Sequence, residues 1–235
     1  DEQTAGVQVT EAAGLQRYLE HKNADIFGPD AGPGEQLRGV STGVFLQSLA
    51  FPAANDVAMT GVVWQRLTRE QLLTVTPGVL FPEAVESSVE PLYERPILEG
   101  GVEVGTVFGY SFKLTVREQF DFHRYPFDTK DVWLRMWPKD FDSNVVLVPD
   151  FDAYPEIDPA LKPGLDNGLV LAGWEPLRTY FQYREGDYSM DFGNREYVGT
   201  EGFPELNFTV DVQRNFINTL VSDLIPLAVV TFLLY

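Results

Sequence analysis

The chain contains no cysteine and only two histidines, His21 and His123. The first absence excludes a disulfide framework and any thiolate-held metal. The second leaves little for a zinc centre or for Ser-His-Asp chemistry. Basic residues are scarce as well: 17 Lys and Arg stand against 35 Asp and Glu, a formal net charge of −18. Nucleic acid binding is driven by Lys and Arg neutralising phosphates, so nucleic acid is excluded as a partner. Such a surface favours solubility and concentrates cations around it. There is no internal repeat, no low-complexity segment and no visible signal peptide, and the start at Asp1 reads as that of a processed or trimmed chain. A single apolar stretch, "LIPLAVVTFLLY" from Leu224 to Tyr235, runs without charge. As a helix it rises about 18 Å, whereas spanning a bilayer takes about 20 residues. A short buried helix would fit it; because it runs to the last residue, it is read as the start of a transmembrane helix.

What is present points to β structure. With 44% apolar and 13% aromatic residues among 235, a sizeable core can be buried. Residues 8–27 predict one helix, with Thr10 as cap and Leu15, Tyr18 and Leu19 on one face, before "FGPDAGPGEQ" breaks it. Strands are predicted over 39–51 and 57–67 as a hairpin, over 106–120, and over 131–137, where Val132, Leu134 and Met136 alternate with Trp133, Arg135 and Trp137. "SNVVLV", "LVLAGWEPLRTYFQYREG" and "ELNFTVDVQRN" follow as further strands, while "TPGVLFPEAVESSVEP" reads as irregular and proline-punctuated. Many short strands separated by turns predict an all-β protein, an immunoglobulin-like antiparallel β-sandwich with an N-terminal helix and a truncated C-terminal membrane helix. The divisions expected are 1–37 for helix and linker, 38–215 for the sandwich and 216–235 for the start of the membrane helix.

One segment does not fit an ordinary strand or loop. "HRYPFDTKD" (123–131) puts Pro126, which cannot sit inside a central strand, among Phe122, Tyr125 and Phe127, too apolar for a solvated turn. Asp128 closes it and would need a partner if buried. Taken in order, the Trp-ending hairpin "GVVWQRL", the loop "FDFHRYPFDTKDVWL", "LAGWEPL", a long polar hairpin loop and "VQRNFINTLVSDLIPL" resemble the extracellular domain of the pentameric ligand-gated ion channels, of the bacterial type that lacks the Cys pair. Arg214 and Pro226 match that family's passage from last strand to first membrane helix, which makes Arg214 the partner the resemblance implies for Asp128; "VLFPEA" departs from its expected Trp-x-Pro segment.

The resemblance implies a homopentamer in a membrane, with an extracellular or periplasmic ectodomain, binding a small-molecule or ionic ligand at subunit interfaces, and no enzyme activity. It places the ligand among Trp137, Phe141, Tyr183, Tyr188 and Tyr197, with Trp64 and Arg66 entering from the neighbouring subunit. It gives Phe122, Tyr125, Pro126, Phe127, Asp128, Arg214, Asn55 and Asp56 the task of passing motion to the pore. Large aromatics in strands are also ordinary core residues, and the proline loop would serve equally as a plain turn. The acidic loop carrying Asp150, Asp152, Glu156 and Asp158 is a candidate Ca²⁺ or other divalent site, or simply a solvated loop. No other cofactor is expected. Two further readings stay open: the same ectodomain as a sensor on a non-channel signalling protein, and a β-sandwich glycosidase with a carboxylate pair.

Overall fold

The structure is a computed structural model and describes residues 6–29, 32, 34–118, 123, 127–187, 192–193, 201–215, 221 and 225–234. Its strands are β1 (Val7–Val9), β2 (Arg38–Ala50), β3 (Asp56–Thr68), β4 (Val79–Leu80), β5 (Ala84–Glu99), β6 (Val102–Arg117), β7 (Thr129–Pro138), β8 (Val145–Pro149), β9 (Trp174–Asp187) and β10 (Glu201–Arg214). The described α-helices are α1 (Ala12–Phe27) and α2 (Ile225–Leu233). The described strands form two five-stranded sheets, ordered β1-β9-β10-β7-β4 and β5-β6-β3-β2-β8. One continuous apolar core lies between them, drawing Val44, Met59, Leu114 and Leu147 from one sheet and Leu134, Phe181, Phe208 and Val210 from the other.

Period-two patterning produces this arrangement. Along β7 the predicted alternation holds: Val132, Leu134 and Met136 are each 1% exposed, and the residues between them face outward. β3 does the same, burying Val57, Met59, Val63 and Leu67. The expected hairpin of β2 and β3 forms, antiparallel, from Ser41↔Arg66 to Ala50↔Ala58.

Four features depart from the sequence reading. Thr10 does not cap α1: the N-cap is Glu11, which makes no side-chain capping bond, and the helix is held by Leu15, Tyr18 and Leu19 packing on the core. A short strand, β1, precedes it and pairs with β9. The segment read as irregular, 76–91, holds β4 and the first half of β5, a 16-residue strand over Ala84–Glu99. It lies at a sheet edge, so Pro91 and Pro96 cost it no partner on the open side, and a register shift between Pro91 and Tyr93 absorbs the first of them. Finally, β8 pairs with β2 in parallel, so the second sheet is mixed. Among the described residues, no helix is long and apolar enough to cross a membrane. The nine residues of α2, with Pro226 in its first turn, rise about 14 Å.

Candidate functional site

β7 and β10 run side by side in register from Leu206↔Met136 to Gln213↔Thr129. At about 3.3 Å per residue, the two ends of this pair lie about 25 Å apart. Each end carries a cluster of candidate residues.

At one end Asp128, just before β7, meets Arg214, the last residue of β10. Arg214 Nε donates to Asp128 Oδ1 at 2.7 Å and Nη2 to Oδ2 at 3.0 Å, a two-pronged pair, while the Arg214 backbone N–H donates to the Asp128 carbonyl at 3.1 Å. Asp128 is only 2% exposed. Burial works against its charge, but the Arg214 hydrogen bonds, together with the positive charges of Arg214 and Lys130, outweigh it and hold the carboxyl below the usual range. The guanidinium lies 4.3 Å from the centre of the Trp174 ring, and Lys130 Nζ lies 5.0 Å from it. Phe51, from the turn between β2 and β3, packs on Trp174 with ring centres 5.2 Å apart. Burial pulls the Lys130 ammonium down to about 8. In that turn the Asn55 carbonyl accepts the Glu118 N–H at 2.8 Å, and Asp56 pairs with Arg117 at 3.2 Å. Phe127 is 64% exposed. Phe122, Tyr125 and Pro126 lie outside the described residues, so the junction consists here of Asp128, Arg214, Trp174, Lys130 and Phe51.

At the other end, Trp137 stacks on Phe141 at 5.3 Å. Phe192 stands edge-on to both, at 6.0 and 5.6 Å. Its backbone has φ 49°, a left-handed conformation that non-glycine residues seldom adopt. Beneath these rings Glu205, 5% exposed, accepts the Trp137 indole N–H at 2.9 Å and pairs with Arg135 at 3.4 Å. Arg135 also reaches Glu83 at 3.1 Å, and Glu83 accepts the Trp133 indole N–H. A recess of about 20 Å³ beside Trp137 is lined by Phe141, Leu147, Phe203 and Glu205, among others, and holds little more than a water molecule. An aromatic wall with an acid at its base suits a small cationic or polar group.

Trp64 and Arg66 lie on the outer face of the opposite sheet, so the chain keeps them apart from the Trp137 cluster. Trp64 sits between two glycines across the strands, Gly43 and Gly109. Its indole lies flat over Gly43, where a Cβ would come within 2.1 Å of the ring. The indole N–H donates to Asp150 Oδ2 at 2.8 Å, and Arg66 pairs with the same carboxylate at 3.5 Å. Tyr154 backs the indole at 5.9 Å while bonding both the N–H and the carbonyl of Val44.

The remaining expected site residues fall elsewhere. Tyr183, read as part of the ligand box, is a core residue of β9: it is 1% exposed, stacks on Tyr18 at 4.7 Å and donates its hydroxyl to the Leu147 carbonyl. The alternation along β9 turns it inward. Tyr188 and Tyr197 lie outside the described residues. Of the four acids proposed for a cation, Asp150 is engaged by Trp64 and Arg66, and Asp158 accepts the Ala160 N–H at the start of a 3₁₀ turn. Among the described residues no group of three or more His, Cys, Asp or Glu is placed to hold a metal ion. Asp131 and Asp211 do sit opposite one another on β7 and β10, but Arg178 and Tyr180 both bond Asp211 there. Sequence reasoning missed Glu205, Glu83, Trp174 and Phe192. For Glu205 the signal was available: in "ELNFTVDV" it shares the outward face with Asn207, Thr209 and Asp211.

Compared with models of protein families and with curated proteins, the chain matches none.

Proposed function

We propose that the chain is the ligand-sensing extracellular domain of a pentameric ligand-gated ion channel of the bacterial type without the Cys pair, an immunoglobulin-like sandwich leading into a first membrane helix. The observation that carries this reading is the buried, two-pronged Asp128–Arg214 pair. It joins the closing residue of the aromatic-proline loop to the last residue of the final strand, the two points that such a channel must couple. A second feature supports it: the β7–β10 strand pair that meets this ion pair at one end carries the Trp137, Phe141 and Phe192 cluster at the other. A ligand that shifts the rings would pull on β7 and β10, and a hydrogen-bonded strand pair moves as a unit. Trp64 and Arg66, held outward on the opposite sheet, are available to complete the site from a neighbouring subunit. On this reading the protein is not an enzyme, and its ligand is a small amine or an ion.

The test is the gene sequence beyond Tyr235, followed by recordings of its full product in planar bilayers. A second apolar segment rich in Ser and Thr, then two more apolar helices, and currents evoked by primary amines or calcium chloride are expected. One further helix leading to a cytoplasmic domain, with no current, would make the same ectodomain a sensor of another kind.

A further inference from the structure

Glu118, one residue beyond β6, is a buried acid with no part in the ligand cluster or the ion pair; it is 4% exposed. Three parts of the molecule meet at it. Its backbone N–H donates to the Asn55 carbonyl at 2.8 Å, in the turn between β2 and β3. Its Oε1 accepts the backbone N–H of Trp133 at 3.2 Å. On that side β7 has β4 as its partner only at Trp137 and Pro138, so the carboxyl covers an open stretch of strand edge. Residues 119–127 follow directly in the chain.

The surroundings favour a neutral carboxyl. Oε2 is buried without a hydrogen-bond partner among the described residues. The charged groups acting on Glu118 are Glu83, from the link between β4 and β5, Asp131 and Lys130 from β7, and Arg184 from β9. Arg184 is already spread over the Trp133 ring at 4.1 Å. An ionised Glu118 would add a third negative charge beside Glu83 and Asp131 and leave one oxygen bare, whereas the neutral acid keeps its bond from Trp133 without that cost. Burial is the largest influence and pushes the carboxyl up to about 8.

We propose that Glu118 is a proton-held latch: in its neutral form it fastens the end of β6 to the open edge of β7 beside the Asn55 turn, and loss of the proton loosens that contact. The chemistry stands without the channel reading; only its consequence for gating rests on that reading.

The full chain is unfolded in denaturant over a series of pH values. Folded Glu118 keeps a proton that the unfolded chain releases near 4.5. Its contribution is therefore complete below that value and is lost as pH rises toward about 8. Glu118→Gln should flatten this fall in stability and leave the variant more stable than the parent above the transition. Lys130→Met should leave the fall in place, separating the two groups. An unchanged slope in Glu118→Gln overturns the proposal. Should that variant fail to fold, infrared difference spectra of the unsubstituted chain, with only its glutamates ¹³C-labelled, decide the matter. A protonated glutamic acid band that disappears near the upper transition supports the latch, and its absence overturns it. Neither measurement depends on a pore, so failure of the channel reading would leave both results standing.

Discussion

Arg214 uses both aspects of its guanidinium: the edge holds Asp128 with two N–H groups and the face lies on Trp174. Lysine could supply the charge but neither geometry. Because Asp128 is almost wholly buried, Arg214→Gln should destabilise the chain by about 3 kcal/mol, read from denaturant midpoints, through the carboxylate it strands. Asp128→Asn together with Arg214→Gln should cost less than the sum of the two single changes. Lys113→Gln, on an exposed strand position, should stay within about 0.5 kcal/mol. Linkage gives a pH signature opposite to that of Glu118. A carboxyl held below its usual range stabilises the fold above the unfolded value, and that stability disappears as pH falls through the folded one. Asp128→Asn should therefore lose part of the acid sensitivity of the parent. Half of this pair was legible from the residues, since an acid in an apolar loop demands a cation; that the cation is Arg214 came from the resemblance, which sets the loop against the end of the last strand. Tyr183 was not: a tyrosine near a polar loop looks like a ligand residue until the register of β9 shows which way it faces.

Elements were readable where one face is buried and the other is not. The alternations of β3 and β7 survive into the fold because each strand packs on a single core. β5 was hidden for the opposite reason. Both its faces are largely exposed, so no alternation marks it, and its prolines are tolerated only because its outer edge is unpaired. Those prolines, with Glu86, Glu90, Glu94 and Glu99, also discourage another strand from adding to that edge. The parallel pairing of β8 with β2 was equally invisible, since register between distant segments leaves no local pattern. Besides its apolar face, α1 has polar anchors among the described residues: Lys22, 8% exposed, donates to Glu185 at 2.6 Å on β9, and Asn23 accepts the Leu37 N–H at 2.7 Å. Lys22→Met would keep the packing of the stem and remove the ammonium. Because Glu185 is close to half exposed and can be solvated, the loss should be about 1 kcal/mol. Hydrogen exchange should nevertheless quicken across residues 12–27 while β7 and β10 remain protected. Unchanged exchange there would mean that the apolar face and the Asn23 bond seat the helix without Lys22.

At the scale of the whole molecule, the two aromatic clusters lie on different sheets, and among the described residues nothing brings them together. On the proposed reading Trp137, Phe141 and Phe192 would form one wall of a site, and Trp64, with Arg66 beside it, the other on the opposite sheet. In a closed ring of identical subunits each wall would face its complement on the next, a head-to-tail contact that closes only if the rotation does. The absence of cysteine from these 235 residues makes this directly testable, because the only thiols within them are those introduced, and any cysteine elsewhere in the product is replaced first. Arg66→Cys and Phe141→Cys are placed together in one chain, in the full-length product held in detergent, and treated with a flexible bismaleimide. Each change alone should give monomers and, at most, incidental dimers. The double variant should give a ladder on a denaturing gel that stops at five times the protomer mass. A ladder ending at two would mean a twofold contact and would remove the pentamer from the reading. A ladder without an end would mean an open head-to-tail array, which cannot surround a pore. If neither single nor double variant cross-links while the chain remains folded, Trp64 is held outward by Asp150 and Gly43 for the stability of its own sheet, and the ligand face reduces to the Trp137 cluster alone.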